Sequence, residues 1–233
     1  MEGVKNEFNK RVNEINQYFG FLKEVEASHV VHQSGGSIDT SVRPILRANA
    51  ILLLYNLLES TVIQAIDYIH ISISTNDTLV YNDSIDEIKK IWIEYKYNNF
   101  KNQNDNSSRL LQYLQWIATD EIVIFDNNDP KREYLTKVKG IGFSGKIDAQ
   151  QARKFAKKYG FKPNKRVVGK RLIHIKERRN QLAHGELSFE DCGNIYAFSE
   201  LVSFKKETVL FLKEFLLNIE KYLNNQQYRR IAK

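Results

Sequence analysis

From Arg47 to Ile71 the chain reads RANAILLLYNLLESTVIQAIDYIHI, with apolar residues around most of a helical circumference. A helix of this kind has no polar face to offer to water, so other helices must surround it. Pro44 suits its first turn, because the missing N–H is an unpaired donor there in any case. The pattern continues to about Ile73, and Glu59 is the charge that stands out within it. The longest uninterrupted apolar run, Ala50 to Tyr55, is flanked by Asn49 and Asn56 and is too short to cross a bilayer. The expectation is one central buried helix.

The rest of the chain supplies helices to cover it. Phe8, Val12, Ile15, Phe19, Leu22 and Val25 recur at helical spacing and predict a long amphipathic first helix. It should end before Ser34-Gly35-Gly36-Ser37. Ser84 with Glu87 forms a capping-box pattern that predicts a third helix. An asparagine-rich loop, NNFKNQNDNSS, follows. A short amphipathic helix over Arg109–Thr119 carries Leu110, Leu111, Leu114 and Ile117. Ile122–Phe125 is the one strand-like run, ended by the turn Asp126–Pro130. Asp148 is placed to cap a short basic helix ending near Tyr159-Gly160. A helix from about Arg166 to His184 should stop at Gly185, and Ser188 with Asp191 offers the next start. The last helix carries Phe198, Leu201, Val202, Val209, Leu212, Phe215, Leu216 and Leu223. These elements predict a mainly α protein, a bundle of four long helices. Residues 1–233 form a single domain, with a small mixed insertion over 75–163 between the second and third core helices.

Length and composition agree. A chain of 233 residues with 42% hydrophobic residues can bury a full core and is no disordered polymer. Thirty-five Lys and Arg against 28 Asp and Glu leave +7, which favours polyanionic partners without distinguishing RNA, DNA or anionic lipid. The single cysteine, Cys192, rules out an internal disulfide and any multi-cysteine metal site. The polar start, MEGVKNEFNKRVNEINQ, predicts no signal peptide, and the expected location is the cytoplasm.

Several motifs have plain readings. Gly140-Ile141-Gly142-Phe143-Ser144-Gly145 matches G-x-G-x-x-G, but polar residues precede it and no helix opens directly on it, so an ordinary glycine turn is the default. His29 and His32 are one turn apart without a third metal ligand fixed by the sequence. His70 and His174 read as packing or solvated residues. Asp126–Asp129 lacks the glycine and distant glutamate of a calcium loop. Asparagine sequons such as Asn106-Ser107-Ser108 carry no meaning without secretion. No G-x-S-x-G elbow or serine–histidine–aspartate order supports a hydrolase triad. No metal site and no cofactor is expected.

Lys170–Phe189, KRLIHIKERRNQLAHGELSF, is the informative segment. Five Lys and Arg precede His184, which falls in the last helical turn, where the helix's partial negative charge favours an imidazolium. Asn180, four residues earlier, shares its face. Arg179 is rotated roughly 140° from His184 on an ideal helix. The two converge only if the helix end distorts or a second copy faces the first. On chemistry alone a basic, solvated helix terminus is the plainer reading.

Arg179-Asn180-Gln181-Leu182-Ala183-His184 resembles the R-x(4–6)-H signature of the HEPN superfamily, with the polar residue after arginine that its nuclease branches prefer. AILLLYNLLESTV resembles the buried second helix of the MAE-type prokaryotic HEPN proteins. GFSGKIDAQQARKFAKKYGF resembles their insertion, and RRNQLAHGELSFEDCG their motif helix and following turn. The resemblance runs from about Arg43 to the end. Glu186 stands where some toxin branches carry an aromatic residue.

The resemblance implies a helical bundle that forms a homodimer and brings two R-x(4)-H segments into one cleft. It also implies a metal-independent endoribonuclease of toxin or abortive-infection type, with RNA, tRNA among the candidates, as substrate. An antitoxin or sensor protein is an expected partner, and a membrane is not. In that reading His184 transfers protons, Arg179 holds a phosphate oxygen and Asn180 orients His184 or the scissile phosphate. Arg178, Lys176, Arg171 and Lys170 would track the RNA backbone. Glu59 is a further catalytic candidate, since a lone carboxylate on an apolar helix needs a partner such as Arg179 or Arg47; a purely structural pair fits it equally. Two other readings stay open: a non-catalytic HEPN protein binding nucleotide or RNA as a partner in a defence or toxin–antitoxin system, and a basic helical adaptor for protein or DNA.

Overall fold

The computed structural model describes residues 1–27, 42–76, 78–99, 106–120 and 147–230. Among them are eight helices: α1 (Glu2–Ala27), α2 (Val42–Ser74), α3 (Asp86–Asn99), α4 (Asn106–Ala118), α5 (Ala149–Tyr159), α6 (Leu172–Ala183), α7 (Phe189–Asn194) and α8 (Phe198–Asn224). The predicted strand Ile122–Phe125, the turn after it, Ser34–Ser37, the glycine motif at 140–145, and His29 and His32 all lie outside the described residues.

α2 is the hub, and α1, α6, α7 and α8 pack on it. Residues on every side of it are buried, among them Ala50, Ile51, Leu54, Leu58, Val62, Ile66 and Ile73. Taken over its whole length, α2 is long and apolar enough to cross a membrane. The short run Ala50–Tyr55 understated this; what marks α2 as a core helix is its burial against neighbouring helices. Besides Glu59 it carries a second acid, Asp67, which is buried, and His70, which is fully buried. The sequence reading passed over Asp67.

α1 lays Phe8, Ile15, Phe19, Leu22 and Val25 on the core, as its stripe predicts. α8 contributes Leu201, Phe204, Phe211, Leu212, Phe215 and Ile219. α5 has the predicted caps: Asp148 accepts the Gln151 amide at 2.8 Å, and Gly160 ends the helix at φ +81°. Its Ala152, Phe155, Ala156 and Tyr159 enter the same core. Full burial of a side chain of Phe or Leu size contributes about 1.5–3 kcal/mol.

Three expectations change. The bundle has three helices longer than 25 residues, at 26, 33 and 27, while the motif helix α6 has only 12. α6 begins at Leu172 and not near Arg166, because the amides of residues before it are taken by a side chain of α8. Glu214 of α8 accepts the amides of Lys165, Arg166 and Val167 at 2.8, 3.0 and 2.9 Å, and Gly169 turns the chain at φ +71°. Ser84 does not cap α3. It is buried, its hydroxyl donates to the Val80 carbonyl at 3.2 Å, and it bridges to Arg229. The chain end is thereby tied to the start of α3, with the Ile85 amide donating to the Tyr228 carbonyl at 3.0 Å.

Candidate active site

α6 presents a core-facing stripe of Leu172, Ile175, Arg179 and Leu182, spaced at three, four and three residues. Leu172 and Ile175 are buried, Leu182 packs against the core, and Arg179 occupies the place between them. Its guanidinium carbon therefore lies 4.8 Å from the centre of the Tyr55 ring on α2. Arginine over an aromatic face is attracted to the ring's negative quadrupole, more strongly where water is excluded. Arg179 Nη1 also donates to Asn180 Oδ1 at 3.1 Å.

Tyr55 is fully buried and links two further groups. Its hydroxyl donates to Glu59 Oε1 at 3.0 Å and accepts the Ile147 amide at 3.4 Å. Burial, and then the Glu59 charge, push the phenol far above its ordinary range, against the opposing pull of Arg179. The phenol stays protonated and keeps donating to the carboxylate. Glu59, Tyr55, Arg179 and Asn180 thus form one connected group across the α2–α6 contact. Tyr55 is a partner of Glu59 that the sequence did not suggest. Arg47, which the sequence did suggest, gives Nε and Nη2 to Glu26 of α1, both at 2.6 Å.

His184 lies just past this group as the C-cap of α6, exposed, its amide bonded to the Asn180 carbonyl at 3.0 Å. The helix then stops as predicted. Gly185 adopts φ +70°, its amide donates to Leu182 O at 3.3 Å, and the Glu186 amide reaches Gln181 O at 2.9 Å. That paired arrangement satisfies carbonyls which the last turn would leave orphaned. Ser188 Oγ accepts the Asp191 amide at 3.0 Å and so starts α7, also as predicted. α7 is seated by Gly193, where a Cβ would lie 1.8 Å from the Pro44 carbonyl oxygen. Only a glycine lets α7 approach α2 so closely.

The basic residues fall into two sets. Arg178, half-buried, donates to Gln181 Oε1 at 2.6 Å and to the Tyr196 hydroxyl at 3.4 Å. Both partners are neutral, so its charge is uncompensated by them. Lys176 instead pairs with Asp148, and Arg171 with Glu207 at 2.8 Å. Lys170 and Arg171 stand at the opposite end of α6, about 20 Å from His184 at 1.5 Å per residue. His174 stacks on Phe204, 6.4 Å between ring centres, and His70 shares a 2.6 Å hydrogen bond with Tyr159 in the core. Among the described residues no three His, Cys, Asp or Glu side chains are placed to share a metal ion.

Sequence reasoning missed Tyr55. The usable signal was the stripe Leu172–Ile175–Arg179–Leu182, which marks Arg179 as facing the core and therefore α2.

The described residues define a helical-bundle class: an apolar central helix packed by other helices, with a short basic helix that ends at a histidine. Within it, a family model for MAE-type HEPN domains matches residues 2–228. The chain belongs to the MAE-type HEPN family, and HEPN proteins are typically ribonucleases of defence and toxin systems. No curated protein and no solved structure matches the chain.

Proposed function

We propose that the protein is a metal-independent endoribonuclease of toxin or anti-phage type, acting in the cytoplasm as a homodimer. Residues 75–163 would be an insertion in its single domain. What supports this reading is the Arg179-to-His184 motif at the C-terminal end of α6 in a HEPN-family chain, with Arg179 turned toward Tyr55 and Asn180, and with His184 exposed at the helix end.

RNA carries its own nucleophile, so the protein needs only to move protons and stabilise charge at phosphorus. One His184 would take the proton of the 2′-OH while a 2′-O–P bond forms. The P–O5′ bond breaks, and the departing 5′-oxygen receives a proton from the partner copy's imidazolium. The products are a 2′,3′-cyclic phosphate and a 5′-OH. Proton transfer of this kind contributes on the order of 10²–10⁴ in rate. Arg179, held by Tyr55 and Asn180, would meet a non-bridging phosphate oxygen as negative charge grows there. Glu59 would act through Tyr55, at one remove from the phosphate. Arg178 and Lys170 would hold backbone phosphates with their charges uncompensated, whereas Lys176 and Arg171 would have to share theirs with Asp148 and Glu207.

The test is cleavage of total tRNA and a long mRNA in EDTA by wild type beside His184→Ala. Cutting by wild type with cyclic-phosphate ends, lost in the variant, supports the reading. Equal cutting by both, or a strict need for Mg²⁺, overturns it. No cutting by either, in dimeric protein, favours a non-catalytic HEPN partner of a defence or toxin–antitoxin system.

A further inference from the structure

The outer face of α8 is not finished as a solvent surface. Val202, Lys206, Leu210, Lys213, Leu217 and Lys221 are all exposed, and they recur at four, four, three, four and four residues. At about 100° per residue they lie within a sector of roughly 100°, a continuous stripe that alternates apolar and cationic side chains. Leu210 and Leu217 retain 44% and 41% of their surface exposed. Two adjoining depressions of about 330 and 340 Å³ run along the stripe, sharing Arg166, Val167 and Leu210 in their walls.

The acids beside the stripe are already engaged. Glu214 is turned to the amides of Lys165, Arg166 and Val167, and Glu207 holds Arg171. Lys206, Lys213 and Lys221 have no ion-pair partner among the described residues. The face therefore alternates aliphatic and cationic side chains along its length, with its own carboxylates withdrawn.

We infer that this face of α8 is a docking groove for an acidic amphipathic helix of a partner protein. A partner helix laid along the stripe supplies the contact area, its apolar side chains meeting Val202, Leu210 and Leu217 and its carboxylates the three lysines between and beside them. The stripe from Val202 to Lys221 is about 29 Å long, the length of some five helical turns. A second copy of the same face would bring lysines against lysines. Contacts to RNA phosphates would satisfy the lysines and make no use of Val202, Leu210 and Leu217. The groove reaches α6 at Arg171, a backbone-contact candidate of the ribonuclease reading at the end remote from His184, and the inference makes no use of that residue.

The probe is a fluorescein-labelled, 20-residue amphipathic helix with leucines on one face and glutamates at its margins, titrated with the full chain and followed by anisotropy. The expected result is binding that weakens with salt, at least tenfold weaker binding of the same peptide with lysine for glutamate, and at least tenfold loss in Lys206→Glu/Lys213→Glu/Lys221→Glu. Leu210→Ser/Leu217→Ser should lose binding comparably while the lysines remain. All five substituted positions are exposed, and unchanged helical circular dichroism establishes that each variant is folded. Equal binding of the two peptides, or binding that survives the triple reversal, overturns the inference. So does a triple variant that loses affinity for a single-stranded RNA 12-mer while keeping the peptide, which would make the face a nucleic-acid track.

Discussion

The Arg179 guanidinium lies 4.8 Å from the centre of the Tyr55 ring, and the Tyr55 hydroxyl donates to Glu59 at 3.0 Å. The most buried helix of the fold therefore orients the arginine of the motif. Tyr55→Leu should slow RNA cleavage roughly tenfold, the equivalent of about 1.4 kcal/mol of lost orientation. Tyr55→Phe, which keeps the ring, should stay within about threefold, as a contact of the ring face predicts. The loss should appear in kcat more than in KM. Full activity in folded Tyr55→Leu protein would dissociate the ring from the function of Arg179.

Two glycines beside the motif should answer differently to alanine. At Gly193 the new Cβ would meet Pro44 backbone at 1.8 and 2.3 Å, and neither helix can yield without the other. Gly193→Ala should cost about 3 kcal/mol. Gly185 has open space around it but φ +70°, so Gly185→Ala should cost only about 1 kcal/mol, the strain of a left-handed residue. Denaturant midpoints of the two variants check the difference.

His70 gives the fold an acid sensitivity. Burial, reinforced by Lys158, pushes its imidazole down to about 3, whereas an unfolded histidine titrates near 6.5. The unfolded chain then binds the extra proton between these values. Stability is undiminished above about pH 6.5 and falls by about 1.4 kcal/mol per pH unit below it, until the folded value near 3 is reached. His70→Gln can still accept from Tyr159 and does not titrate. The difference in stability between variant and wild type should therefore shift in favour of the variant from pH 7 to pH 5, by chemical denaturation at each pH. A difference independent of pH would refute the assignment.

Lys176 and Lys170 should separate stability from RNA binding. Lys176 has 22% of its side chain exposed and Asp148 only 9%, so Lys176→Ala leaves a largely buried carboxylate without its cation. The expected cost is about 1–2 kcal/mol, or a melting temperature lower by about 2–8 °C. Lys170→Ala should leave melting unchanged and, if Lys170 meets a phosphate, lower the slope of log affinity against log salt by about 0.7.

The elements legible in the sequence are those specified by neighbours along the chain. Asp148, Gly160, Gly185 and Ser188 act on amides and carbonyls within a few residues, and each takes the predicted role at a helix end. The stripe of α1 and the burial of α2 follow from periodicity alone. Where local signals compete with distant partners, they fail. Ser84 has the pattern of a cap, yet it bridges to Arg229, and the adjoining Ile85 amide is taken by the Tyr228 carbonyl. Arg166 and Val167 fall within the expected helix, yet Glu214 takes their amides together with that of Lys165, and the helix starts only at Leu172.

The sequence by itself determined the mainly helical class, the central helix, the helix ends around the motif and the resemblance that its residues carry. All of these rest on interactions within one or two turns, or on patterns a single helix must satisfy. Only the tertiary structure decided what each charged group meets: Arg179 on Tyr55, Arg47 on Glu26, Lys176 on Asp148, Arg171 on Glu207. The physical reason is that a side chain's partner across a helix contact depends on the rotation and depth at which two helices pack. Those are set by the whole core, down to the single glycine at 193 that lets α7 reach α2.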